Sequence, residues 1–387
     1  MANPEVPEAE YLERYSIWCD CKGSTKKATR KYEEKYSRSI SEDTMRRSVK
    51  EARKILNVSI DDFTSGPPPP DGYRVKGTST LYDADGEMKL EWVKLDADQE
   101  RQAELFREAI KEMAAELPRL PLINGPGHHE KDLCATYLVG DHHFGQLSWH
   151  EESGQDYDIK LAEKSLLRAA DYLLGSTPPC DYALIPIMGD FFHYDGYEPV
   201  TPSAKNQLDT DTRFPKMVRV AIKASRYLIE RAAEIHDRVR VIIIPGNHDP
   251  ATAIFLMECL NNIYEDNPRI EIDTSPGLFH YFNFGKCLIG TYHGHRVKMD
   301  KLPLIMATDQ ADLWGKTDHR YWFIGHVHHD SAKDFPGCKV ESLRVLAPAD
   351  AWATSEGYRP MQGMKAIVFH KKHGEQSRHI VNPGMLK

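Results

Sequence analysis

Five short runs of this chain end an apolar stretch in groups that could bind metal or move protons. "TYLVGDHHFG" ends in Asp141 and His143, and "IPIMGDFFHYDG" in Asp190 with His193 three residues on. "VIIIPGNHDP" delivers Asn247, His248 and Asp249, "LIGTYHGHR" delivers His293 and His295, and "YWFIGHVHHD" delivers His326, His328 and His329. Any one run reads equally well as a surface turn, because Asn, Asp and Gly are common turn residues. Five on successive strand ends would need the same accident five times over. Carboxylates, an amide and imidazoles ejected from buried strands therefore mark a site. An oxygen and imidazole donor set without thiolate suits Mn²⁺, Fe²⁺ or Zn²⁺ better than Mg²⁺.

The elements that must position these groups alternate between strand and helix from about residue 133. Apolar strands are expected at 134–139, 183–188, 240–244, 286–291, 321–324, 339–345 and 364–369, and helices at 160–174, 215–235, 251–263 and 301–314. This is an α/β pattern, with function expected in loops at the carboxyl ends of strands. Three parts are expected: a basic helical domain (1–63), a connector (64–132) and a catalytic domain (133–387). In the first, Tyr11, Tyr15 and Trp18 lie at helical spacing, and Ala28, Tyr32 and Tyr36 share a face of a helix from Ser24 to Tyr36. Ser41 can cap a third helix that has Glu42 and Asp43 in its first turn. That helix is expected to bury Met45, Val49, Ala52 and Leu56 and to show Arg46, Arg47, Lys50, Arg53 and Lys54 to solvent. Such a pair of helices looks like a DNA-binding helix-turn-helix, or else a small bundle with a solvated basic face. In the connector, "TSGPPPPDG" (64–72) is stiff, residues 73–95 read as a hairpin turning at Asp85-Gly86, and a helix spans about 97–117.

The 387 residues, 41% hydrophobic and 28% charged, describe a globular chain without an apolar run long enough for a membrane helix. The acidic start "MANPEVPEAE" has no signal-peptide core, and seven scattered cysteines form no disulfide framework, so a cytoplasmic protein is expected. Cys19 and Cys21 lack a second pair for zinc. The net charge of −8 is uneven: residues 24–54 hold eleven Lys/Arg against five Asp/Glu. A basic module on an acidic body is the reading.

The ordered series D-x-H, GD, GNHD, HG and GHxH, over about 133–370, resembles the calcineurin-like metallophosphoesterase superfamily. The GDFFH form, with its histidine three residues after the aspartate, looks most like the double-strand-break repair exonucleases, whose bacterial member is SbcD. The resemblance implies two packed mixed β-sheets flanked by helices, with two metals at the strand ends. Two divalent ions about 3.5–4 Å apart can hold a hydroxide and clamp a phosphoryl group for in-line attack. By resemblance Asp190 bridges them, Asp141, His143 and His328 hold one, and Asn247, His293 and His326 the other. Manganese is the expected metal, with iron or zinc as alternatives. His248 would contact the phosphate or protonate the leaving oxygen, and His193 would help position a nucleic-acid backbone. Asp249 is expected to support a neighbouring histidine, and His142, His295 and His329 to lie at the surface or behind the ligands.

Only 59 residues follow His328, little room for the DNA-capping domain and ATPase-binding tail of the repair nucleases. An ATPase partner is therefore not expected, and DNA, the expected partner, would be met by the basic N-terminal helices; a homo-oligomer is compatible with the chain. The leading expectation is a DNA exo- or endonuclease. The alternatives are hydrolysis of a small phosphoester or cyclic nucleotide, a phosphoprotein phosphatase, which would typically carry GDxVDRG and GNHE, and a DNA-binding regulator with a vestigial site.

Overall fold

The computed structural model describes residues 7–21, 24–56, 73–82, 88–97, 101 and 123–386. The chain forms two compact units, Met1–Phe106 and Arg107–Lys387. In the first, helices α1 (Glu8–Asp20), α2 (Thr25–Tyr36) and α3 (Glu42–Leu56) surround a small core of Tyr15, Ile17, Ala28, Tyr32, Met45, Val49 and Ala52. Ser24 and Ser41 accept from the amides of Lys27 and Thr44, so each serine starts its helix as the sequence predicts. Leu56 differs from expectation: it ends its helix and is exposed rather than buried. Strands β1 (Tyr73–Tyr82) and β2 (Met88–Ala97) pair antiparallel, as a hairpin requires. Its turn, the proline run and most of the expected helix at 97–117 lie outside the described residues.

The second unit is a two-sheet sandwich. One sheet has the order β13-β12-β3-β4-β5-β6, built from β3 (Glu130–Leu138), β4 (Cys180–Ile187), β5 (Arg238–Ile243), β6 (Ile270–Asp273), β12 (Met364–His370) and β13 (Gly374–Val381). The other has the order β10-β11-β9-β8-β7, from β7 (His280–Phe284), β8 (Cys287–Tyr292), β9 (His319–Ile324), β10 (Ser331–Phe335) and β11 (Cys338–Ser342). Both sheets are mixed: β3 to β6 run parallel, as do β8, β9 and β11, while β12 lies antiparallel to β3 and β7 to β8. Their facing sides share one core, in which Leu138, Leu184, Ile242 and Ile367 meet Phe282, Ile289 and Phe323. Helices α4 (Ile159–Ser176), α5 (Phe214–Ile235) and α6 (Thr252–Tyr264) cover the outer face of the first sheet. Helices α7 (Leu302–Asp309) and α8 (Ala311–Lys316) cover that of the second.

Inner strands, buried on both faces, are long apolar runs and match the seven expected segments. The strands the sequence did not announce are β6, β7, β10 and β13, the outermost strand at each end of the two sheets. They are short or polar because one edge of each faces away from the sheet. The helix expected at 301–314 is interrupted at Gln310. Among the described residues no helix is long and apolar enough to cross a membrane.

Candidate metal centre

The parallel strands β3, β4 and β5 of one sheet and β8 and β9 of the other all end at one edge of the sandwich. The loops that follow bend sharply. Among the described residues, six non-glycine positions have positive φ, and four of them are His143 (50°), Asp190 (47°), His326 (66°) and His328 (54°). Backbone in this region is strained for L-residues with bulky side chains and collects at functional sites. The glycine before each turn is demanded by space. A Cβ on Gly246 would lie 2.0 Å from Asp190 Oδ1, one on Gly325 2.3 Å from Asp141 Oδ1, and one on Gly189 2.6 Å from His293 Nδ1. These glycines shape the site as much as the ligands do. Their only signature in the sequence is their place just before Asp190, Asn247 and His326.

The seven residues expected to hold metal come together in two adjoining groups. Asp141, His143 and His328 each bring a donor atom within 4.8 Å of the others, and so do Asp190, His293 and His326. In the first group His328 Nε2 is 3.0 Å from Asp141 Oδ2 and 3.4 Å from His143 Nε2. In the second, His293 Nε2 is 3.2 Å from Asp190 Oδ2 and 3.0 Å from Asn247 Oδ1. His293 Nδ1 donates to the Met188 carbonyl at 2.8 Å, which turns Nε2 inward. Burial works against a proton on His293, yet Asp190 and Asp141 outweigh it and hold the group up at about 10. Burial likewise opposes charge on Asp190, but His293 keeps its carboxyl well below the usual range. His143, buried and facing His248, His328 and His193, is pushed well down.

Asp249 explains part of this rigidity, though in another way than expected. Its carboxylate accepts from four backbone amides, those of Asp190 (3.1 Å), Gly246 (2.8 Å), Phe191 (2.8 Å) and Phe192 (3.1 Å), and supports no histidine by hydrogen bond. Burial and the Asp190 charge push it up to about 7, against the pull of the amides. His248 is fixed from both sides: its N–H donates to Asp190 Oδ1 at 2.8 Å, and its Nδ1 lies 2.8 Å from the His193 carbonyl. His193 is 1% exposed, touches His143, Nδ1 to Nδ1, at 3.3 Å, and shares a cluster of imidazoles with His143 and His248. Burial and His248 push it down to about 3. Asp195, which the sequence reading passed over, accepts from the amides of Ala251 and Thr252 and so caps α6 from the same loop.

Other histidines go elsewhere. His142 is buried in the helix-facing core, edge-on to Phe144 with Nε2 2.9 Å from the Ala162 carbonyl, and burial pushes it down to about 4. His295 is half-buried, its ring 5.2 Å from that of His293, and His329 is exposed. In the other unit Arg46, Arg47, Lys50 and Lys54 are exposed on α3. Arg53 is half-buried and lies over the Trp18 ring at 4.8 Å, which removes it from that open face. Arg46 and Lys54 also meet Asp43 and Glu51 on the same helix. Cys19 and Cys21 are free thiols.

The donors fit divalent cations. Asp141 Oδ1 is buried without a hydrogen-bond partner, and the ring nitrogens His143 Nε2 and His328 Nε2, from opposite loops, face each other at 3.4 Å. Residues 135–351 match the calcineurin-like phosphoesterase family, and the chain belongs to it. That family is typically dinuclear and metal-dependent and hydrolyses phosphoesters. None of the curated proteins matches the chain. Among solved structures, a conserved uncharacterized protein from Streptococcus pneumoniae TIGR4, described as a predicted phosphoesterase, is 11% identical, with 65% of this chain and 99% of that chain covered and a TM-score of 0.27. Vps29 from Chaetomium thermophilum is 12% identical over 64% of this chain and 96% of that one, with a TM-score of 0.29. Vacuolar Protein Sorting 29 from Cryptosporidium parvum is 11% identical over 65% and 98%, with a TM-score of 0.29.

Proposed function

We propose that the chain cleaves phosphodiester bonds of DNA in the manner of the SbcD-like repair nucleases, with two divalent metals, manganese first among them. The observation that carries the reading is that two donor groups, Asp141 with His143 and His328 and Asp190 with His293 and His326, adjoin beside His248, which is held by its backbone and by Nδ1. Asp141, His143 and His328 would hold one ion and Asn247, His293 and His326 the other, with Asp190 shared between them. When bound, such ions polarise a phosphoryl oxygen and provide a nucleophile at neutral pH. The chain's own part is orientation and proton transfer. Asp190 positions the His248 amide, and His248, with Nδ1–H held by the His193 carbonyl, would act from Nε2, delivering a proton to the leaving oxygen as the imidazolium.

DNA as the substrate is supported by the exposed basic residues of α3, Arg46, Arg47, Lys50 and Lys54, on a chain that is acidic elsewhere. In this proposal α2 and α3 dock the duplex as a helix-turn-helix-like pair. The test is full-length protein with Mn²⁺, offered single- and double-stranded DNA, cyclic nucleotides and phosphopeptides in parallel. DNA should be cut fastest. Preference for a cyclic nucleotide or a phosphopeptide sinks the nuclease reading, and metal-loaded protein inert on all four sinks hydrolysis itself.

A further inference from the structure

The turn carrying Asp190 to His193 has every backbone group engaged at its end. The His193 amide donates to the Phe144 carbonyl at 3.0 Å, while the His193 carbonyl lies 2.8 Å from His248 Nδ1. A carbonyl oxygen only accepts, so the proton of that contact sits on His248 Nδ1. The His193 ring meets a second histidine. Its Nδ1 is 3.3 Å from His143 Nδ1, and two ring nitrogens in contact need one proton between them. His143 Nε2 points the other way, to within 3.4 Å of His328 Nε2 in the donor group around Asp141. For Nε2 to offer a lone pair there, the His143 proton must sit on Nδ1, and His193 must accept it. The remaining His193 nitrogen, Nε2, is buried and lacks a close partner, with the Asp209 backbone in reach of the ring.

We infer that His193 is a positioning residue that fixes the tautomers of two histidines at once, its ring holding the proton of His143 on Nδ1 and its carbonyl holding that of His248 on Nδ1. Both histidines then present Nε2 to the reacting centre. Imidazole ligands commonly have such an acceptor behind them, usually a carboxylate or carbonyl. Here a neutral imidazole fills the post. The spacing of three residues puts Asp190, a member of the second donor group, and His193, which orients two imidazoles, on a single tight turn. This reassigns the third part of the GDFFH run from contact with substrate to control of the ligand.

The inference rests on His143 being a metal ligand, and its test separates the two claims. In zinc-loaded full-length protein carrying isotope-labelled histidine, a long-range proton–nitrogen correlation spectrum should show His143 protonated at Nδ1 and His193 at Nε2. His193→Ala should weaken zinc binding about 10–100-fold in chelator competition. His193→Asn, whose Oδ1 stands near the lost Nδ1, should recover most of that loss. A wild-type spectrum with the His143 proton on Nε2 overturns the inference without any variant having to fold. So do Ala and Asn variants that hold zinc as tightly as wild type, and in both cases the metal centre stands. Wild-type protein that takes up no zinc, manganese or iron removes the metal centre and the inference with it.

Discussion

Two clusters of polar side chains, each with a buried centre, lie next to each other along the chain, and they are built on opposite principles. Around Lys365 charges alternate and close on themselves. Its ammonium donates to Asp330 at 2.8 Å and to Glu341 at 2.7 Å, Arg378 grips both oxygens of Glu341, and Arg344 meets Asp330. Two residues before Asp330 the metal centre begins with His328, and there the groups do not close. Asp141 Oδ1 has no hydrogen-bond partner, and imidazoles face imidazoles. A satisfied buried network serves the fold, whereas a convergent, unsatisfied one waits for something from outside. Polar clusters thus tell structure from function by their pairing rather than by their burial.

Substitutions should separate the two clusters by what they damage. Asp190→Ala should have the largest effect: metal content should fall from about two ions per chain by elemental analysis and turnover should drop to background. Metal-free stability should stay within about 1 kcal/mol of the parent, since a strained and charged residue is removed. Loss of folding with metal content intact would break the distinction. His248→Ala should keep both ions and lose about 10²–10⁴-fold in turnover. A parallel loss of metal would place it among the ligands instead.

Lys365→Met belongs to the closed network. It leaves Glu341 with one cation fewer and should lower stability by about 3 kcal/mol in urea titrations, with metal content unchanged. A third buried polar group gives the pH test. His236 is wholly buried, accepts from the Cys180 amide at Nδ1 (3.0 Å) and meets Tyr137 through Nε2 (2.7 Å); burial pushes it down to about 4. The unfolded chain, with an ordinary imidazole near pH 6.5, binds more protons than the folded one between about pH 4 and 6.5. Stability is therefore fully present above that window and falls as pH drops through it, by about 1.4 kcal/mol per pH unit for this group. His236→Asn should lose about 2 kcal/mol less than wild type between pH 7 and 5. The smallest effect is expected in the other unit. Arg46→Glu with Lys50→Glu should flatten the salt dependence of DNA binding by a slope of about 2, one for each phosphate contact removed. An unchanged slope would give the α3 face another partner.

What the sequence made legible follows the same line between inner and outer, and between ligand and support. The strands that carry Asp141, Asp190, Asn247, His293 and His326 are buried on both faces, so each is written as an apolar run. The edge strands β6, β7, β10 and β13 are not, because an edge needs fewer apolar residues. The ligand types could be read from the runs, and the structure brings those seven residues to one place. The supports could not. Nothing in the type of Asp249 distinguishes a ligand from an acceptor of four amides, and His142 and His143, adjacent in the chain, point to opposite surroundings: one into a helix-facing core and one into the centre. That difference depends on a single left-handed residue, which spacing alone does not reveal.

The left-handed backbone at His143, Asp190, His326 and His328 also bears on how this protein would change if selection on its chemistry were lifted. Glycine or asparagine tolerates that conformation far better than a bulky or branched residue does. Drift constrained only by folding would therefore replace these four positions with Gly or Asn before it touched the strands that lead into them. A descendant that had lost its activity would keep the sandwich and wear its history at four turns. Conversely, a laboratory population selected for heat resistance alone should reach the same substitutions, gaining stability while its chemistry disappears.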